Sequence, residues 1–351
     1  MSRSGRDLDE DDVRVRPGRR KSRPRSKDRP TFNQALPGTV ITVDRGRFTV
    51  AMDDGTELLA VKAREIGRKG VVVGDRVGMV TDARPGTESL GRIIRVDKRS
   101  TVLRRTADDD DPVERVIVAN ADQLAVVVAT VDPEPRLGFI DRAFVAAIDA
   151  GIEPLLIITK ADLADASALI DAYAALDVVA IPVARGEGKR PRDADLQAVR
   201  DHFADRTTVL VGHSGVGKST LVNALVPGAD RATGHVNAVT GRGRHTSTST
   251  LVLRLPQGGW IVDTPGVRSF GLAHVTPDAV ISAFDDLAPG LADCPRGCTH
   301  DEQECALDAF VAGDPHLRAR LDSLRRLIRS RGGSDDAATI PDAEGPGEAL
   351  A

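Results

Sequence analysis

The stretch GHSGVGKST, Gly212 to Thr220, constrains this chain more than any other. It fits G-x-x-x-x-G-K-[ST]. The apolar run Thr207 to Val211 before it predicts a strand, and Lys218 to Leu225 after it predicts a helix. In that setting successive main-chain N–H groups curl around a phosphate at the positive end of a helix, so the loop demands a nucleotide-binding α/β layer. Lys218 would reach the β- and γ-phosphates, and the Ser219 hydroxyl would ligate Mg²⁺. His213, Ser214, Gly215, Val216, Gly217 and Thr220 complete the cradle. A glycine-rich turn matching by accident would need neither the strand nor the helix.

Two further segments bear on the base and the switch. DTPG, Asp263 to Gly266, follows the predicted strand WIVD, where Asp263 would hold the Mg²⁺ shell and the Gly266 N–H would sense the γ-phosphate. TKAD, Thr159 to Asp162, ends the apolar run PLLIITK. Ligand-facing loops of parallel sheets belong at such strand ends. Asp162 would accept from the N1–H and exocyclic amine of guanine, a donor pair that adenine does not present. Lys160 would lie across the base and brace the phosphate loop, with Ala161 between them. The bland alternative makes Asp162 a helix N-cap for ADLADASALI. VARGEG, Val183 to Gly188, would supply main-chain contacts to the guanine O6. The base-reading tetrapeptide thus precedes the phosphate loop, the reverse of ordinary GTPases. That order reads as a circular permutation, which costs little when the termini of the original fold lie close together.

The rest of the chain is consistent with a modular protein of 351 residues. Residues 1–36 are rich in Arg, Asp, Ser and Pro without apolar periodicity, the pattern of a disordered basic arm, with RNA-phosphate binding and simple solubilisation as its two readings. Residues 37–104 carry the short β-type runs TVITVD, RFTVAM, ELLAVK, VVVGDRVGMV and GRIIRVD, punctuated by Gly and Asp-Gly. A five-stranded OB-type barrel fits them. Residues 105–273 alternate strand and helix as an α/β domain with a mostly parallel sheet, closed by two antiparallel strands in LVLRLPQGGWIVD. Residues 274–330 read as helical, including PHLRARLDSLRRLIRSR, whose amphipathic stretch Leu317 to Ile328 is expected to pack on its own domain, with its Arg residues facing RNA as the alternative. Residues 331–351 read as a disordered acidic tail. No apolar run reaches the roughly 18 residues of a membrane span, and the charged N-terminus differs from a signal peptide, so a cytoplasmic protein without membrane association is expected.

All three cysteines fall within Cys294-x3-Cys298-x-His300-x4-Cys305. An odd number in so short a span argues against disulfides and for one closed, structural Zn²⁺ site with Cys294, Cys298, His300 and Cys305 as ligands. Three ordinary buried thiols near a surface histidine are the alternative.

With ANADQ at Ala119 to Gln123, GHSGVGKSTLVNAL, GRGRHTST at Gly241 to Thr248, DTPGVRSFGL and CPRGCTH in this order, the chain resembles the RsgA family of small-subunit biogenesis GTPases from Pro37 to Ser330. It departs from the usual GTPase pattern at Thr159, where Asn is common, and its cysteine spacing is slightly tighter. The resemblance implies GTP hydrolysis to GDP assisting late maturation of the small ribosomal subunit, with the barrel and zinc domain on its rRNA and release after hydrolysis. Val267 follows DTPG where many GTPases carry a water-orienting Gln. The resemblance implies that His245 takes that role, while Thr246 or Thr248 ligates Mg²⁺. Competing expectations are a nucleotide-switched RNA-binding scaffold, or a permuted GTPase of the large subunit. A monomer is expected.

Overall fold

The computed structural model describes residues 35–44, 46–66, 70–81, 90–106, 114–229, 250–264, 270, 272, 275–302 and 304–331. The arm up to residue 34 and the tail from residue 332 lie outside the described residues.

Five short strands close into a barrel: β1 (Leu36–Asp44), β2 (Arg47–Met52), β3 (Glu57–Lys62), β4 (Arg76–Val80) and β5 (Gly91–Val96), in the order β1-β2-β3-β5-β4. Alternate residues point inward, so Val40, Phe48, Val50, Met52, Ala60, Val77, Met79 and Ile93 fill the interior. The run VVVGDRVGMV, expected as one strand, pairs only from Arg76 onward. Its first half is a turn in which the Asp75 carboxylate accepts from the Val72 N–H at 2.8 Å. That buried carboxylate is matched by Arg99, whose Nε and Nη2 lie at 2.7 and 2.9 Å. A two-stranded ribbon of β6 (Val102–Thr106) and β7 (Glu114–Ala119) follows, unforeseen from the sequence because its two runs flank an acidic stretch.

The second sheet has the order β10-β9-β8-β11-β13-β12. Strands β8 (Gln123–Ala129), β9 (Glu153–Thr159), β10 (Val179–Val183), β11 (Thr207–Val211) and β13 (Trp260–Asp263) are parallel, and β12 (Leu251–Arg254) is the antiparallel edge. The continuous apolar run of β8 is explained by burial on both faces. Leu124, Val126 and Val128 pack with helix α1 (Leu137–Asp149), whereas Ala125, Val127 and Ala129 pack with α3 (Asp193–Phe203) and α4 (Lys218–Leu225). Helix α2 (Ser167–Ala174) starts four residues later than its apolar pattern suggests, where Asp165 accepts from the Ser167 N–H at 3.1 Å.

The C-terminal part contains α5 (Pro277–Ile281), α6 (Ala306–Phe310) and α7 (Pro315–Ser330). The apolar stripe of α7, Leu321, Leu324, Leu327 and Ile328, belongs to the same buried cluster as α1. This helix therefore packs across the α/β layer as well as along its own segment. Its arginines are engaged within the chain. Arg318 and Arg325 meet Asp308, Arg320 meets Asp177 and Asp286, Arg326 meets Asp141, and Arg329 meets Asp301.

Candidate functional site

The parallel strands β8, β9, β10, β11 and β13 all end at one edge of the sheet, and the loops leaving them carry the sequence motifs. The predicted strand and helix around the phosphate loop are both present, as β11 and α4. Gly212 passes so close to β8 that a Cβ there would stand 2.4 Å from the Val127 carbonyl oxygen. Gly217 caps α4 in a left-handed conformation, φ 92°, which an L side chain rarely adopts. The first turn of α4 thus presents its main-chain N–H groups toward the loop, with Lys218, Ser219 and Thr220 opening the helix. His213 packs against Phe139 of α1, with ring centroids 4.4 Å apart and the two planes tilted by 54°. Ser214 and Gly215 are exposed, and Val216 is buried.

Lys218 and Asp263 face each other across this loop, Nζ to Oδ1 3.4 Å, with both side chains largely shielded from solvent. The next residue, Thr264, donates its hydroxyl to the Leu210 carbonyl at 2.9 Å, which pins the exit of β13 to β11. The lysine and the carboxylate thus balance one another's charge across the loop. A phosphate and a metal ion would give each its own partner of opposite charge.

The TKAD loop closes the site from the β9 side. Thr159 is buried, and its hydroxyl faces two carbonyls, Val128 at 3.0 Å and Val216 of the phosphate loop. The threonine that replaces the common asparagine therefore still ties this loop to the phosphate loop. The chain turns at Lys160 (φ 56°), whose ammonium donates to the carbonyls of Val131 and Asp132. Those residues belong to the loop after β8, and Pro133 of that loop borders Gly215. Lys160 thus braces the phosphate loop through an intermediary that its sequence position did not reveal. Ala161 donates its N–H to the Val183 carbonyl at 3.3 Å, linking TKAD to the end of β10.

Asp162 caps no helix, because the N-cap of α2 is Ala166. Its carboxylate accepts instead from Arg185, the third residue of VARGEG: the main-chain N–H at 2.8 Å, Nε at 3.0 Å and Nη2 at 2.9 Å. These bonds hold the carboxyl down at about 2. Sequence reasoning read VARGEG for its main chain only. The single signal for the side chain was an arginine one strand away from an acidic loop. The switch residues His245, Thr246, Thr248 and Gly266 lie outside the described residues.

A second cluster lies in the C-terminal part. The ligand atoms of Cys294, Cys298, His300 and Cys305 all lie within 4.8 Å of one another. Cys294 Sγ is 3.7 Å from His300 Nδ1 and 3.9 Å from Cys305 Sγ, and Cys305 Sγ is 3.9 Å from His300 Nδ1. A tetrahedron with Zn–S of about 2.3 Å and Zn–N of about 2.0 to 2.1 Å has S···S edges of about 3.8 Å and S···N edges of about 3.6 Å. The donor set and its spacing therefore fit one zinc ion. Burial pushes the Cys298 thiol up to about 12. The peptide carbonyl of His300 accepts from Arg325 Nε at 2.9 Å, which fastens the cluster to α7.

A phosphate loop on a parallel sheet, with TKAD beside it in space and ahead of it in the chain, defines a circularly permuted P-loop GTPase. A family model described as RsgA GTPase matches residues 96–273. The small ribosomal subunit biogenesis GTPase RsgA of Pseudomonas aeruginosa (strain LESB58) is 37% identical over 269 residues, 74% of this chain and 76% of its own. RsgA 1 of Vibrio vulnificus (strain YJ016), which carries the same description, is 33% identical over 333 residues, 90% and 91% of the two chains. In fold the chain is similar to YjeQ from Thermotoga maritima, with a TM-score of 0.60 at 23% identity over 85% of this chain and 99% of that one. It is similar also to YloQ, described as a circularly permuted GTPase, with a TM-score of 0.60 at 22% identity over 88% and 99%. The chain belongs to the RsgA GTPase family and is a GTP-hydrolysing enzyme.

Proposed function

We propose that this GTPase binds the small ribosomal subunit, assists its late maturation, and leaves after hydrolysing GTP to GDP and phosphate. The observation that carries the nucleotide half is the junction of loops at one sheet edge, where Thr159 meets Val216 and Lys218 meets Asp263. The relatives described as small ribosomal subunit biogenesis GTPases support the ribosomal half.

In this reading the N–H groups from Gly212 to Ser219, with Thr220 behind them, hold the β-phosphate, and Lys218 turns from Asp263 to the β- and γ-phosphates. Asp162 accepts from the guanine N1–H and amine, and Thr159 keeps base loop and phosphate loop in register. Ser219, Asp263 and Thr248 would hold Mg²⁺, which neutralises charge on the phosphate oxygens when bound with GTP. His245 orients the attacking water, and Thr246 is the other switch hydroxyl available to the metal. Gly266 offers its N–H to the γ-phosphate. Cys294, Cys298, His300 and Cys305 hold a structural zinc. In the proposed division, residues 37–104 form an OB-type RNA-binding barrel, 105–273 the GTPase domain and 274–330 a helical zinc-binding domain, working as a monomer in the cytoplasm. Among the described residues no helix is long and apolar enough to cross a membrane.

Hydrolysis that depends on a switch loop held in place should be slow alone and faster on the partner. Phosphate release from GTP is to be measured with and without purified small subunits, alongside co-sedimentation in GDP and in a non-hydrolysable GTP analogue. Turnover that small subunits leave unchanged would refute the partner. Intact stimulated turnover in His245→Ala, with Lys218→Ala inactive, would refute the role of His245.

A further inference from the structure

The carboxylate assigned to guanine is engaged by the protein itself. Both oxygens of Asp162 accept from Arg185: Nε spans them at 3.0 and 3.3 Å, and Nη2 reaches Oδ2 at 2.9 Å. A guanidinium presents two N–H donors on nitrogens that share one planar carbon. The N1–H and 2-amino group of guanine form the same unit. The Arg185 side chain thus offers Asp162 a planar pair of donors like that of the base, its two shorter bonds converging on Oδ2. The Arg185 main-chain N–H bonds Oδ1 separately at 2.8 Å. It fixes the carboxylate whichever partner occupies its open edge.

The loop around Arg185 holds its shape without this side chain. The Ala184 N–H donates to Asp195 at 2.9 Å, the Arg192 N–H donates to the Ala184 carbonyl at 2.9 Å, and Gly186 and Arg190 are joined through their main chains at 2.7 Å. The side chain is 30% exposed, so it has open space to swing into when another donor pair arrives.

We propose that Arg185 is an internal competitor for guanine, paired with Asp162 through its side chain and displaced from it by the base on binding. The proposal rests on Asp162 being the base-reading residue. Competition of this kind lowers apparent affinity by the fraction of molecules in which the carboxylate is free. It acts equally on every guanine nucleotide, because GDP and GTP share the base. It also discriminates between bases, because adenine places an acceptor beside its amine and does not replace both donated bonds. The Arg185–Asp162 ion pair thus becomes part of the selection for guanine.

The test measures binding of GDP, a non-hydrolysable GTP analogue, ADP and xanthosine diphosphate to the full chain stripped of nucleotide, as wild type, Arg185→Ala, Arg185→Lys and Asp162→Asn. Arg185→Ala should tighten GDP and the GTP analogue by the same factor, about two- to fivefold for a partly exposed ion pair, through faster association. ADP should be unaffected. Arg185→Lys keeps the charge but lacks the planar pair of donors, and should move toward the alanine variant. Weaker or unchanged guanine-nucleotide binding in Arg185→Ala overturns the proposal, as does Arg185→Lys matching wild type. Asp162→Asn separates this failure from failure of the base assignment. A shift toward xanthosine diphosphate, with no gain in Arg185→Ala, sinks the competitor alone. No shift sinks both.

Discussion

The threonine at the head of TKAD offers a direct test of how the two halves of the nucleotide site are joined. Thr159→Val preserves the side-chain shape in a position that is 6% exposed, and removes only the hydroxyl. That hydroxyl has one proton and faces two carbonyls, Val128 at 3.0 Å and Val216. Losing one buried hydrogen bond costs about 1 kcal/mol net, and leaving a buried carbonyl without its donor adds about 1 kcal/mol or more, so about 2 kcal/mol is expected. With a urea slope of about 3 kcal/mol/M, the unfolding midpoint should fall by about 0.7 M. The contact exists before nucleotide binds, so most of the loss should appear as stability. The part that appears in GDP affinity reports how far the phosphate loop and the base loop lose register. Thr159→Ser keeps the donor and should stay near wild type in both measurements. A valine variant with the wild-type midpoint and wild-type GDP affinity would show that the Thr159 to Val216 bridge contributes nothing.

Three other outcomes are expected. The purified protein should carry about one equivalent of zinc by atomic absorption, and Cys305→Ser should lose it and loosen α7, seen as faster hydrogen exchange in that helix; full metal retention would contradict the ligand set. Arg142, 2% exposed, donates to the carbonyls of Phe270 and of Ser330 at 2.8 Å. Arg142→Met should therefore cost about 3 kcal/mol and speed exchange in the last turn of α7, and an unchanged exchange pattern would refute that tie. Asp141 is lifted to about 6, chiefly by burial, although Arg326 and the Tyr173 hydroxyl pull it back. A folded-state value above the unfolded one gives a contribution that is full below about pH 4 and lost as pH rises through about 6. The difference in urea midpoint between wild type and Asp141→Asn should change across that window, and a constant difference would overturn the assignment.

Local patterns made the chemistry of this chain legible. The phosphate loop is written in nine consecutive residues, and its strand and helix are visible in the runs that flank it, because both the glycine geometry and the apolar periodicity act over short distances. The cysteine and histidine cluster is legible for the same reason, since its four side chains span only Cys294 to Cys305. Strand alternation likewise announced the barrel, although the turn at Val72 to Asp75 cut one expected strand in half, where the Asp75 carboxylate captured the Val72 main-chain N–H.

Partnership between distant side chains was decided only in three dimensions. Nothing in TKAD indicates that Thr159 reaches Val216, 57 positions away, or that Arg185 stands on Asp162. In the sequence alone, the arginines of α7 were also free to face RNA. Packed against α1, Arg326 instead meets Asp141, 185 positions earlier. The physical reason is the range of the forces involved. Backbone preference and hydrophobic period are properties of neighbouring residues, so they can be read along the chain. A buried hydrogen bond or ion pair depends on which elements pack together and on how water is excluded between them, and those conditions exist only once the sheet and its helices have closed.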